Sequence, residues 1–143
     1  MRREEITLDD GLVCLSINGK SETVFNPTDL GFIEKLFLAF DSLEAKQKAL
    51  EEKIGSAEPR EVFRIARDAD ADMRELVDGV MGAGTCAAQF GDMNVYARAG
   101  GLPVWANLLF AVMDLCETES VSQQKQMRPA LEKYAAKYAK YQR

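Results

Sequence analysis

The hydrophobic positions of this chain begin as a short extended stretch and then settle into long runs with helical spacing. Leu12-Val-Cys-Leu-Ser-Ile17 reads as a strand, and Ser21-Glu-Thr-Val-Phe25 as its return partner. Between them lies Asn18-Gly19, a strong hairpin signal, because a type I′ turn needs positive φ at both central residues. Residues 6–8 are expected to add a third strand, with Asp9-Asp10-Gly11 as the turn before the hairpin. Two strands alone are marginal in water, so this sheet has to rest on helices.

The period then changes. Asn26-Pro27-Thr28-Asp29 reads as a helix start: Asn26 caps, Pro27 suits the first helical position, and Asp29 sits near the positive end of the dipole. The helix is expected to run to Ile54 and stop at Gly55. Its apolar seam is Ile33, Leu36, Phe40, Leu43, Leu50 and Ile54, three and four apart, with Gln47 in the one slot that is not apolar. After a short connection, residues 59–81 repeat the helical period through Val62, Ile65, Ala66, Ala69, Met73, Leu76, Val77 and Val80. A short link between two long helices favours an antiparallel pair. Gly79, Gly82 and Gly84 are expected to end the second helix. Residues 85–90 are expected to form one short helix capped by Thr85, followed by an ordered loop over 91–103.

Residues 104–116 are apolar nearly all round, which marks a central, enclosed helix with Trp105, Leu108, Leu109, Val112 and Met113 in the core. A last helical seam, broken by Pro129, contains Met127, Leu131, Tyr134, Tyr138 and Tyr141, with Lys133, Lys137 and Lys140 beside it. The pattern as a whole predicts an α+β fold, mostly helical. An N-terminal β-hairpin (residues 1–25) packs on a bundle of about four to five helices with its core in residues 26–116, and residues 117–143 form a basic C-terminal helix, all in a single domain spanning 1–143.

Composition narrows the chemistry. The 143 residues include no histidine, so the commonest acid–base side chain near neutral pH and the commonest metal ligand are both missing. The net charge is −5 and unevenly spread: residues 125–143 hold six Lys/Arg and one Glu. The acidic remainder makes nucleic acid an unlikely partner for the whole molecule. Three cysteines, widely spaced and without a CxxC, argue against a disulfide framework or zinc knuckle and fit a reducing cytoplasm. Cys14, Cys86 and Cys116 are expected to be buried, inert thiols. No apolar run approaches the ~20 residues of a membrane span, and no signal peptide is expected.

The candidate sites are few. Asp68, Asp70 and Asp72 fail as a calcium loop, since the sixth and twelfth positions hold Met73 and Gly79 rather than Gly and Glu. They read as carboxylates of a solvated helix within reach of Arg64, Arg67 and Arg74. Gly79-Val-Met-Gly82-Ala-Gly84 follows a helix, not a strand, and reads as a helix stop rather than a phosphate loop. No catalytic residue, cofactor site or metal site is expected, and the chain is read as a non-enzyme. The basic, tyrosine-bearing end suits packing on the body or on another protein chain, or single-stranded nucleic acid.

Three stretches carry a family resemblance: Ser16-Ile-Asn-Gly-Lys20 with Val24-Phe-Asn-Pro-Thr-Asp-Leu30; Phe63-Arg-Ile-Ala-Arg-Asp68 with Asp72-Met-Arg-Glu75; and Phe90-Gly-Asp-Met-Asn-Val-Tyr96 with Gly101-Leu-Pro-Val-Trp-Ala-Asn-Leu108. Through them the chain resembles the tail assembly chaperones of siphophages and prophages of gut-type Gram-positive bacteria. The resemblance implies a non-enzymatic assembly factor in the cytoplasm of the bacterial host. It would coat helical segments of a tape-measure protein until tail-tube proteins replace it, and act as a homo-oligomer without a membrane. The contact surface expected for that role is the exposed face of the first long helix around Leu43, Leu50 and Ile54, together with Tyr134, Tyr138 and Tyr141. The alternative is a nucleic-acid-binding or regulatory module of a prophage that uses the basic C-terminal helix.

Overall fold

In a computed structural model, which describes residues 1–120 together with Lys133 and Ala136, the first element is an antiparallel hairpin of β1 (Val13–Ile17) and β2 (Ser21–Phe25). Asn18 (φ 55°) and Gly19 (φ 67°) take the left-handed conformation, and the Lys20 amide donates to the Ile17 carbonyl at 3.0 Å. The ladder starts one residue later, at Ile17 opposite Ser21, so Lys20 is an extra residue at the turn. That extra residue decides which face is buried. It puts Ser21, Thr23 and Phe25 on the core side, whereas a one-residue slip would turn Lys20, Glu22 and Val24 inward. Phe25 then stacks on Phe32 of the next helix with ring centroids 4.8 Å apart.

Residues 6–8 form no third strand. Ile6 and Leu8 are 86% and 78% exposed. The carboxylates of Asp9 and Asp10 accept from the amides of Gly11 (3.0 Å) and Leu12 (3.1 Å), and the Asn26 side-chain amide donates to the Asp10 carbonyl at 2.9 Å. Side chains thus satisfy the backbone before β1, in place of a strand partner.

The hairpin feeds α1 (Leu30–Ser56), whose start differs from the expected one. Asn26 caps a turn instead: its Oδ1 accepts from the Thr28 amide at 2.9 Å, and its carbonyl from the Asp29 amide. Asp29 is the helix cap, accepting from the Gly31 amide at 2.9 Å. Gly55 does not stop the helix, which continues to Ser56 and is capped at Ala57. A two-residue link leads to α2 (Pro59–Met81), with Pro59 in the first turn where its missing N–H costs nothing. Gly79 lies inside α2, and Gly82 (φ 121°) ends it.

Next come α3 (Thr85–Phe90), capped at Gly84 rather than by Thr85, and a two-stranded ribbon of β3 (Arg98–Ala99) and β4 (Leu102–Pro103) inside the expected loop. The last described element is α4 (Val104–Ser120), one turn longer than its apolar run. It is the centre of the core. Trp105, Leu108, Leu109, Val112, Met113 and Cys116 are buried there against Ile33, Leu36, Phe40 and Leu43 of α1 and Met73 and Val77 of α2. Gln47, the polar residue in the α1 seam, accepts a hydrogen bond from the Trp105 indole N–H at 3.0 Å. The architecture is therefore α+β and mostly helical, with a long antiparallel α1–α2 pair as its frame.

One polar group inside the hairpin face is left over. Ser21 Oγ donates to Gln89 Oε1 at 2.7 Å, but the buried Thr23 Oγ1 has no partner among the described residues. Replacing it by an isosteric methyl removes that desolvation penalty. Thr23→Val is expected to raise stability by about 0.5–1 kcal/mol, read as a higher urea midpoint at unchanged slope; a fall in midpoint would show that the hydroxyl is satisfied.

Candidate functional site

The expected contact surface on α1 is largely covered by the chain itself. Leu43 is fully buried in the core with α4 and α2, Leu50 is 6% exposed and Ile54 is half-buried. Tyr134, Tyr138 and Tyr141 lie outside the described residues, as does most of the stretch expected as a basic C-terminal helix over 117–143, whose first four residues belong to α4. What α1 and α2 leave open is the groove between them.

This groove has two hollows, of about 560 Å³ and about 540 Å³, which share Lys46 and Asp72. Lys46 Nζ meets Asp72 Oδ2 at 2.8 Å and bridges the helices at the middle of the groove. On one side of the bridge the lining includes Ala49, Leu50, Lys53, Arg64, Ile65, Asp68, Ala69 and Tyr96; on the other it includes Ala39, Glu75, Leu76, Gly79 and Val80. From Ala39 to Lys53 the groove follows α1 for about 21 Å at 1.5 Å per residue. Small residues (Ala39, Ala49, Ala69, Gly79) recur along its lining, which lets another backbone approach closely there.

Its charges are mostly neutralised. The Lys46 ammonium holds the Asp72 carboxyl below its usual value. Arg64 pairs with Glu61 and lies 3.6 Å from Asp68. Burial, and then the carboxylates of Asp72 and Asp70, push the Tyr96 phenol up to about 12, so it remains a neutral hydrogen-bonding group at physiological pH. Among the described residues no group of three or more Cys, Asp or Glu is placed to hold a metal ion.

Tyr96 is held in place by Asp70, which is not the solvated carboxylate the sequence suggested. Its Oδ1 accepts from the Val95 amide at 2.8 Å and its Oδ2 from Arg74 Nε at 3.0 Å. Arg74 in turn donates to the carbonyls of Gly91 (2.6 Å) and Met93 (2.7 Å), and Asn94 donates to the Ala66 carbonyl at 3.0 Å. The loop from Gly91 to Tyr96 is thereby clamped along α2. The i, i+4 spacing of Asp70 and Arg74 was the available signal, but spacing alone does not reveal a loop as the third partner. Asp78 performs a similar task at the far end of α2, accepting from the amides of Cys86 (2.9 Å) and Gly84 (3.2 Å).

The thiols separate into two kinds. Cys86 and Cys116 are buried, and burial raises each to about 12. Cys14 is exposed on the outer face of the hairpin, contrary to expectation, since its strand turns Val13, Leu15 and Ile17 inward. The hydrogen bond to Glu22, at 3.4 Å, raises its pKa and so depletes the reactive thiolate. A thiol titration of the native protein is expected to count one group, slowly and faster at higher pH, and three in denaturant. Rapid reaction of all three in the native state would contradict this burial.

Compared with protein-family models, curated proteins and solved structures, the chain matches none. No helix of the described residues is long and apolar enough to cross a membrane.

Proposed function

We propose that the chain is a non-enzymatic tail assembly chaperone of a phage or prophage, and that it holds helical segments of a tape-measure protein in the α1–α2 groove. One observation carries the reading. Two of the three stretches of the resemblance meet in this groove: Arg64, Ile65, Asp68, Asp72 and Glu75 come from the second, and Tyr96 from the third. A long helical client exposes apolar stripes that aggregate when bare. A groove lined by alanine, glycine and aliphatic side chains together with charged ones covers such a stripe by helix-in-groove contact. Its shallow, half-polar lining suits a grip that tail-tube subunits later displace. Action in the host cytoplasm and as a homo-oligomer belong to the same proposal.

The test is co-expression with a fragment of the tape-measure protein from the same tail module. The soluble share of the fragment is expected to rise with this chain, and to fall back with Ala49→Trp, which fills the groove from an exposed position. A fragment whose solubility is indifferent to the chain sinks the reading.

A further inference from the structure

The groove carries two charges that nothing among the described residues neutralises at close range. Lys53, at the end near the α1–α2 link, has no carboxylate within 4 Å there, and Glu75, beyond the Lys46–Asp72 bridge, has no cation within 4 Å. Lys53 acts electrostatically on Asp72, but that carboxylate already holds Lys46. Taking that bridge as the register of the antiparallel pair, Glu75 lies level with Leu43, about 15 Å from Lys53 along α1. On a docked helix that separation is about ten residues, and the nearest spacing that returns to the same face is eleven residues, three turns or about 16 Å, a difference the long Lys53 and Glu75 side chains can span.

We propose that the groove selects an amphipathic helix carrying a carboxylate and a cation about three turns apart on its docking face, the carboxylate meeting Lys53 and the cation meeting Glu75. The inference rests on the helix-binding reading above and adds its recognition chemistry. Small groove residues accept an apolar stripe of any sequence, so the end charges supply the discrimination. A helix with like charges at both positions pairs at one end and is repelled at the other.

The experiment uses labelled helical peptides of about 18 residues with one Ala/Leu face. One bears Glu and Lys eleven residues apart, and its companion bears Lys at both places. By anisotropy the wild-type protein is expected to favour the Glu/Lys peptide about fivefold, as one exposed pair exchanged for one repulsion allows. Lys53→Glu makes both ends acidic and is expected to invert the preference. Glu75→Lys is expected to turn it toward a peptide with Glu at both places. Both sites are on exposed helix faces, and thermal melts confirm that the variants fold. The preferences are expected to vanish near about 1 M salt. Equal binding of the peptides by the wild type, unmoved by Lys53→Glu, overturns the inference while helix binding stands. Failure to bind any peptide overturns it as well, and the helix-binding reading falls with it only if the tape-measure fragment is also not solubilised. Self-association abolished by Lys53→Glu would show a second copy in the groove and overturn the proposal too.

Discussion

Asp70→Ala is expected to lower stability by about 3 kcal/mol and to release the segment that ends in Tyr96. The substitution strands two groups together. Arg74 and Asp70 are only 20% and 21% exposed, so removing the carboxylate leaves a guanidinium in a poorly solvated place. It also leaves the Val95 amide without its acceptor, although Val95 itself is fully buried. Breaking a buried pair from one side costs about 3–5 kcal/mol, and partial exposure moves this case to the lower end. The midpoint of thermal unfolding should fall by roughly 10 °C for a chain of this size. Asp70→Asn retains an acceptor for Val95 but loses the charge opposite Arg74, so its loss should be intermediate. Amide exchange at Val95 and Tyr96 should accelerate in both variants, more than exchange in the α4 core. If Asp70→Ala melts like the parent, the loop is held by other contacts and Asp70 is the solvated carboxylate that its sequence context suggests.

That aspartate shows where sequence reading stops. The α1 and α2 seams, the apolar α4 and the Asn18-Gly19 turn follow from local periodicity and backbone preference, and the structure has them with small changes at the ends. Partners distant in the chain were not legible. Gln47 is a gap in the α1 stripe until Trp105, 58 residues on, supplies its indole N–H. Asp70 is one of three alternating aspartates until the loop after α3 folds back upon it. The same blindness hid the burial of Leu43 and Leu50: a stripe through them has the same periodicity whether a partner or the chain's own residues cover it. The start of α1 failed for a local reason. Asn26 and Asp29 both suit a cap, and Asn26 is used by the turn with Thr28.

Phe40→Ala is expected to destabilise the chain at least as much as Asp70→Ala, by about 3–5 kcal/mol, since a ring is removed from a site that collapses poorly. Phe40 is fully buried at the middle of α1, with its ring 5.9 Å from that of Trp105 and 6.2 Å from that of Phe110, the latter edge-on. Such contacts add to the burial itself and fix α4 on α1. Against a total of about 5–15 kcal/mol, the loss brings a domain of this kind close to unfolding. Leu38→Ala, at a position 61% exposed on the same helix, is the control and should stay within about 0.5 kcal/mol. Trp105 is the single tryptophan, so its fluorescence reports the core around Phe40 without interference. Two further variants separate folding from function on α1. Leu43→Ala should behave like Phe40→Ala, losing stability while the folded fraction still binds its helix. Ala49→Trp should do the reverse, melting like the parent and binding poorly. If Leu43→Ala instead abolished binding at full stability, the contact surface would be the α1 seam after all, and α1 would have to part from α4 to expose it.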